Sequence, residues 1–484
     1  MPRSVPTCLS PYRRAVMKYA AAAGWALFCP ASLRPGLAGE EAQPRADDVA
    51  AGVLRLDLRH VITNGDEGFT LQRLRLEPMG PGPRKRRAER LDWGDYRLSL
   101  YDGSDRTLLF RAGFDTPLNA NARSGMTEIS VRCPMPRRPV HATVEKRRAQ
   151  SLFQERWQVA IDPSDEGIDR SRNALAGRVD RILSNGSPDT KVDVAVLGDG
   201  YQEGEYRKFR DDAARAAGYL FSVEPFRRRA RDFNVYSVFV PSADSGVTDP
   251  YLGLQRNTVL RCAYQSGESE RTLAARDHRA VREVASTVPY DFLLILANSR
   301  RYGGSAIFGG PAAVAIDSAA APYLVIHEFA HVIGGLADEY YIPDAYGPRF
   351  AGNVEPWNPN VTIAPEKGKW RPAAGEPTLR STRWNKSEYE AYFSSYVKRY
   401  YALRSSHAEE AAVEKLMHEA GRRTAALLAK NGAQGKVGWF EGANGYAKGA
   451  YRAEVDCIMF SFQTHYFCSA CSSAIERMID EHCS

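Results

Sequence analysis

No run of about eighteen apolar residues occurs anywhere in this chain, so no segment has the length and character of a membrane-spanning helix. Cysteine is scarce: eight in 484 residues cannot build a disulfide scaffold. Charge of one sign is scarce too. The formal net charge is +7, but residues 1–38 hold Arg3, Arg13, Arg14, Lys18 and Arg34 and no acidic side chain. Subtracting these five leaves a body at +2, which excludes a polyanion-binding surface spread over the protein. There are no internal repeats and no low-complexity tracts. What remains is ordinary for a folded protein, with 44% hydrophobic and 25% charged residues, and its length calls for two or three domains.

Residues 1–38 read as a targeting segment. Basic residues up to Lys18 precede the alanine-rich apolar block Tyr19–Phe28, and small residues follow around Gly36-Leu37-Ala38. Export to the periplasm, the cell surface or the medium is the expectation. Residues 50–165 then read as an all-β sandwich. Val53–Leu58, Thr70–Leu76, Tyr96–Tyr101, Thr127–Val131, His141–Val144 and Trp157–Ile161 alternate apolar and polar residues between turn-forming Gly, Pro, Asn and Asp. The run Arg84-Lys85-Arg86-Arg87 follows Pro81-Gly82-Pro83 with no interleaved aromatics, the pattern of a solvated loop and not of a nucleic-acid site.

Residues 166–484 have a different texture, in which strands and helices intermix as in an α+β domain. A polar helical connector is expected over Gly167–Leu183. Buried strands are expected at Val192–Leu197, Phe233–Val240 and Asp291–Leu296, and helices after Gly200 and near Ala274–Ala285. Gly198-Asp199-Gly200 is not a dinucleotide fingerprint, because Glu203 stands where its third glycine belongs. A long helical insertion is expected around Glu388–Lys430.

The strongest chemical signal is His327-Glu328-Phe329-Ala330-His331, on an apolar helix that follows Pro322 and stops at Gly334-Gly335. Histidines four residues apart share one helix face and can reach one zinc ion, with Glu328 placed to take a proton from water. Burying two histidines and a glutamate on such a helix without that purpose would need three separate hydrogen-bonding solutions. A third ligand is required. A glycine turn at Gly335 followed by Asp338 favours Asp338, with Glu339 and the more distant Glu355 as rivals. Met459, after a glycine-rich aromatic segment, is the candidate for a methionine turn beneath the metal. Tyr446 is the chosen donor to the developing oxyanion, with Tyr451 and Arg452 as alternatives. The strand near Phe292–Leu296 and the Tyr302-Gly303-Gly304 loop are expected to form a peptide-binding edge.

Taken together, several motifs resemble the bacterial IgA metallopeptidases, metallopeptidase family sixty-four. They are Leu197-Gly198-Asp199-Gly200-Tyr201, Asn234-Val235-Tyr236, Tyr302-Gly303-Gly304, His327–Tyr340, Phe440-Glu441-Gly442-Ala443, Cys457-Ile458-Met459 and Phe467-Cys468-Ser469-Ala470-Cys471. One departure is Ser469-Ala470, where similar proteins carry Pro-Val. The resemblance implies a zincin fold of metzincin type with His327, His331 and Asp338 on one zinc ion, Glu328 as base and Met459 in the turn. It implies protein or peptide substrates and points to immunoglobulin A, although a fold fixes a reaction type and not the sequence that is cut. A secreted zinc endopeptidase is therefore the expectation. Its rival is a catalytically silent surface protein that binds protein or glycan on the same scaffold, with the zinc structural; the intact Glu328 argues against that, since a closed structural site needs no base. Cys457, Cys468, Cys471 and Cys483 crowd the last residues, and a disulfide is preferred there over a metal site.

Overall fold

Alternation in the first half and continuous apolar runs in the second translate into two kinds of sheet. The computed structural model describes residues 49–77, 89–118, 124–149, 152–264, 269–343, 354–370, 381–430 and 432–483. The expected targeting segment at residues 1–38 and the Arg84–Arg87 run lie outside them.

The first part is antiparallel throughout. Its strands are β1 (Val49–Thr63), β2 (Asp66–Glu77), β3 (Tyr96–Asp102), β4 (Leu108–Phe114), β5 (Gly125–Pro136), β6 (Val140–Ala149) and β7 (Leu152–Ile161). They form a three-stranded sheet in the order β2-β1-β5 and a four-stranded sheet in the order β4-β3-β6-β7. Period-two alternation turns Leu54, Leu56, Leu58, Ile129 and Val131 of the first sheet onto Leu98, Leu100, Phe110, Ala142 and Val144 of the second, in one shared core.

The second part opens with β8 (Arg178–Leu183), β9 (Val192–Asp199), helix α1 (Tyr206–Leu220) and β10 (Phe233–Phe239). A short ribbon of β11 (Cys262–Tyr264) and β12 (Leu273–Ala275) precedes helix α2 (His278–Ala285) and β13 (Phe292–Ala297). Next come β14 (Gly304–Ala306), β15 (Pro311–Ala315) and helix α3 (Ala321–Gly334). The remaining elements are β16 (Val361–Thr362), the helical hairpin α4 (Lys386–Ser405) and α5 (Glu410–Ala429), β17 (Phe440–Ala443), β18 (Tyr446–Arg452) and α6 (Ser469–Cys483). A mixed six-stranded sheet runs β14-β15-β13-β9-β10-β8, parallel at its centre and antiparallel at both edges. Its central strands are buried on both faces, which is why they read as unbroken apolar runs. Val192, Val194 and Val196 face α1 and α3, whereas Ala195 and Leu197 face α2.

Two expectations are corrected here. Gly167–Leu183 is not a helix: Arg178–Leu183 is an edge strand antiparallel to β10. Its charged composition is that of an exposed edge, and strand pairing prevails over a polar pattern that could equally be helical. Phe292–Ala297 cannot offer a peptide-binding edge, because β15 and β9 flank it on both sides. The outermost strand near the site is β14, whose outer side is bridged at Gly304 to Thr272.

The two parts are fastened by buried polar contacts and by an aromatic seam. Arg55 on β1 reaches Glu283 at the end of α2 at 2.8 Å, and Arg282 donates to the Ser130 carbonyl of β5 at 3.2 Å. Trp93 packs edge-on against Phe308, which in turn packs against Trp357. The ring edges of Trp93 and Trp357 close over Gly335, where a side-chain carbon would lie 3.1 and 2.7 Å from them. Gly335 has φ of 57° and terminates α3 in the left-handed region, so a glycine serves both the turn and the close packing.

Candidate active site

Helix α3 is apolar on nearly every face, as a helix buried all round must be, with Pro322 in its first turn and Gly335 just beyond its end. His327 and His331 lie one turn apart, and their Nε2 atoms approach to 3.2 Å. The other nitrogen of each ring is held by backbone. His331 Nδ1 donates to the Leu336 carbonyl at 2.6 Å, and His327 Nδ1 donates to the Ile458 carbonyl at 3.2 Å with the Tyr323 hydroxyl at 3.0 Å. A carbonyl can only accept, so these bonds place the ring proton on Nδ1 and leave Nε2 with a lone pair unless the ring is charged. Asp338 Oδ1 completes the group, 3.1 Å from His327 Nε2 and 3.3 Å from His331 Nε2. That oxygen is buried and accepts no hydrogen bond.

Three lone-pair atoms converging on one point fit a cation, and two imidazoles with a carboxylate are a donor set suited to zinc. The electrostatics agree. Burial would raise the Asp338 carboxyl, but the His331 and His327 rings hold it well below the usual carboxylate range. Burial would lower His331, yet Asp338 takes it up to about 9. A bound cation would take the place of that proton.

Glu328 points into a cavity of about 310 Å³, lined among others by Arg271, Tyr302, Tyr323, Tyr340, Tyr396 and Tyr400. Burial pushes its carboxyl above the ordinary value; the His327 and His331 rings oppose this and Asp338 adds to it. The backbone of β14 passes against it. A side-chain carbon on Gly304 would lie 2.7 Å from Glu328 Oε1, so only glycine permits this approach. Burial also keeps the Tyr302, Tyr323 and Tyr340 hydroxyls protonated beyond their usual range, so all three can donate hydrogen bonds. The α4–α5 hairpin walls this cavity through Tyr389, Phe393, Tyr396, Tyr400, Met417 and Thr424.

The structure thus gathers His327, Glu328, His331 and Asp338, and sets Met459 beside them. The Met459 carbonyl accepts the Glu339 backbone N–H at 2.8 Å, and the preceding carbonyl of Ile458 is the one that holds His327. Tyr446 is not gathered: it packs against the small apolar cluster of Ala337, Val361, Ala443 and Ala450, and does not line the cavity. Tyr451 pairs with Glu441 in the β17–β18 hairpin. Arg452 is fully buried, donates to the Gly442 and Val455 carbonyls, and stacks on Trp384 and Phe460. Glu355 is spent on Lys369 and the Ile363 N–H, away from the histidines. Glu339, the other rival, turns its carboxylate to Cys468 and Cys471.

The expected disulfide is also corrected. Cys457, Cys468, Cys471 and Cys483 are all free, with Cys457 and Cys471 sulfurs 3.7 Å apart. Cys483 lies apart from the other three, its thiol on the Asp232 carbonyl. Sequence reasoning overlooked Arg271, Tyr323 and Tyr340. Of these Tyr323 carried a signal, since it precedes His327 by four residues on the same helix face.

Residues 181–479 match the family model described as IgA Peptidase M64, and residues 47–158 match that of the Peptidase M64 N-terminus. A search of curated proteins gives no match. No helix among the described residues is long and apolar enough to cross a membrane. The family is one of peptidases, whose substrates are proteins and peptides, and the His327-His331-Asp338 group is a candidate site for the metal ion that a metallopeptidase carries. With more than half of its length inside one family model and its first part inside that family's N-terminal model, the chain belongs to the M64 family of IgA peptidases.

Proposed function

We propose that this chain is an exported zinc endopeptidase of metzincin type, in which His327, His331 and Asp338 hold the metal and Glu328 is the general base. The observation that carries the reading is the convergence of His327 Nε2, His331 Nε2 and Asp338 Oδ1 on one point beside the Glu328 carboxylate. A zinc ion held there supplies Lewis acidity, lowering the pKa of water and polarising a carbonyl. Glu328 takes the proton of the attacking water on a carboxylate oxygen and hands it to the departing amine nitrogen. Burial raises its carboxyl above the ordinary value, which favours its taking up that proton. The Tyr302 and Tyr340 hydroxyls and the Arg271 guanidinium are the donors that face the carbonyl oxygen, in place of Tyr446. Past the Gly304–Thr272 bridge, β14 leaves Ala306 at the outer edge of the sheet for an extended substrate.

The experiment compares cleavage of casein and of a peptide library by wild type, chelator-treated wild type and Glu328→Gln. Chelator-sensitive internal cleavage, lost in Glu328→Gln while its metal is kept, is the expected result. A fully active Glu328→Gln ends the mechanism, and release of single terminal residues ends the endopeptidase reading. The substrates are exposed or unfolded protein segments, because the tyrosine-lined hairpin narrows the approach to the cleft. Hinge fragments from human IgA would assign the narrower activity. Export is tested by N-terminal sequencing of the protein from a bacterial host, where an intact Met1 confined to the cytoplasm refutes it.

A further inference from the structure

Beneath the His327-His331-Asp338 group lies a second cluster that catalysis does not use. Cys457, Cys468, Cys471 and Glu339 are fully buried, and one ligand atom from each lies within 4.8 Å of all the others. Glu339 Oε1 is 3.2 Å from Cys471 Sγ and 3.4 Å from Cys468 Sγ, and the Cys457 and Cys471 sulfurs are 3.7 Å apart. A tetrahedral zinc ion with bonds of about 2.3 Å to sulfur and about 2.0 Å to oxygen puts its sulfurs about 3.8 Å apart and its sulfur and oxygen about 3.5 Å apart. The three separations given above lie close to those dimensions.

Two further observations point to a cation. Glu339 Oε2 is buried with no hydrogen-bond partner, a costly state for a carboxylate unless a positive ion accompanies it. The sulfurs also accept backbone N–H groups: Cys468 N donates to Cys457 Sγ at 3.2 Å and Cys471 N to Cys468 Sγ at 3.5 Å. Both donors sit at the start of α6, where the peptide dipoles favour negative sulfur. Around the carboxylate, Asn360 Nδ2 donates to Oε1 at 3.2 Å and orients it, as outer partners of metal ligands do.

We propose that Cys457, Cys468, Cys471 and Glu339 bind a second, structural zinc ion. Each thiol releases its proton to solvent as the ion binds. Four protein ligands close the site to water, so the ion is structural and takes no part in hydrolysis. Its place explains its use. Asp338 and Glu339 are neighbours in sequence and turn to different centres, and Cys457 immediately precedes Ile458 and Met459. The Glu339 N–H to Met459 carbonyl bond joins the same two segments. One ion therefore ties the loop that carries Asp338 to the loop whose Ile458 carbonyl orients His327.

The test uses the full chain and does not depend on the proposed activity. Wild type purified with zinc should contain two ions per chain, and a His327→Ala/His331→Ala double variant should retain one. Refilled with cobalt(II), that double variant should show the intense near-ultraviolet thiolate-to-cobalt band. Adding Cys468→Ser and Cys471→Ser should abolish the band and the residual metal; should that variant not fold, the band in the double variant decides alone. A folded double variant that holds no metal and gives no cobalt band overturns the proposal, as does peptide mapping that finds a Cys457–Cys471 disulfide in native protein. Wild type with one zinc that vanishes in the double variant would remove the second site and leave the proposed function standing.

Discussion

Gly304→Ala is the sharpest probe of how Glu328 is positioned. The added carbon would meet Glu328 at three atoms: 2.7 Å from Oε1, 3.0 Å from Cγ and 3.1 Å from Cδ. Ordinary carbon contacts begin at about 3.5 Å, so the side chain must withdraw by roughly 0.5–0.8 Å. Rotating the terminal carboxylate cannot relieve the clash, since Cγ is also too close. A displacement approaching 1 Å at a proton-transfer group costs up to about a hundredfold in rate, so kcat should fall between about 10- and 100-fold. KM and zinc content should hardly change, because neither the tyrosine-lined walls nor the histidines move. Stability should shift by less than about 1 kcal/mol, since β14 keeps its pairing with β15. The assay is steady-state cleavage of a quenched fluorescent peptide, with metal analysis and a thermal melt on the same sample. Gly204→Ala is the control, for its added carbon meets nothing within 4 Å. A Gly304→Ala enzyme with wild-type kcat and full zinc would refute the positioning of Glu328, or its role. Loss of zinc together with activity would move the effect to the metal ligands.

Other outcomes follow from the same geometry. Asp338→Ala should lower zinc affinity strongly while Glu355→Ala leaves it unchanged, as isothermal titration with zinc would show, because only Asp338 faces the histidines. Arg55→Ala should destabilise the protein by about 3 kcal/mol in urea unfolding, since it strips the buried Asp57, Glu77 and Glu283 of a shared cation. Asp193 is fully buried, and burial, with Asp291 beside it, pushes its carboxyl up to about 7. A folded-state pKa above the unfolded value means that the native protein binds the extra proton, so this group's stabilisation is lost as pH rises through 7. Asp193→Asn should remove roughly 3 kcal/mol of the decline between pH 5 and pH 8, measured by denaturant melts at both.

Local pattern made α3 readable. Two histidines and a glutamate on an apolar helix need no long-range information, and the glycine turn brought Asp338 within reach by chain length alone. The sandwich was legible for the same reason, since period-two alternation in β1, β3 and β5 is a property of each strand by itself. The misreadings share one cause. Whether Arg178–Leu183 is strand or helix depends on β10, which lies far along the chain. Nothing local ranked Tyr446 against Tyr451 and Arg452 as the oxyanion donor; the fold turns Tyr446 toward Ala337 and Val361 and brings Tyr302 and Tyr340 to the cleft. Counting cysteines suggested four partners, whereas the fold replaces Cys483 with Glu339. Each of these outcomes is decided by a contact that no local window contains.

The ring of Trp93 against Gly335 bears on the order in which this protein can mature. Gly335 closes the turn that delivers Asp338, and one wall of that turn comes from the segment joining β2 to β3. A chain whose first third is still unstructured lacks that wall. The turn then keeps Trp357 and the Asn358 and Asn360 bonds to the Gly335 and Ala337 carbonyls, but loses one of the two rings packed on Gly335. Docking of the N-terminal sandwich would therefore complete the cover over Gly335 without being what forms the turn. The same contact sets a limit on modular exchange: a catalytic half grafted onto an unrelated partner would have to find another aromatic edge to lay across Gly335.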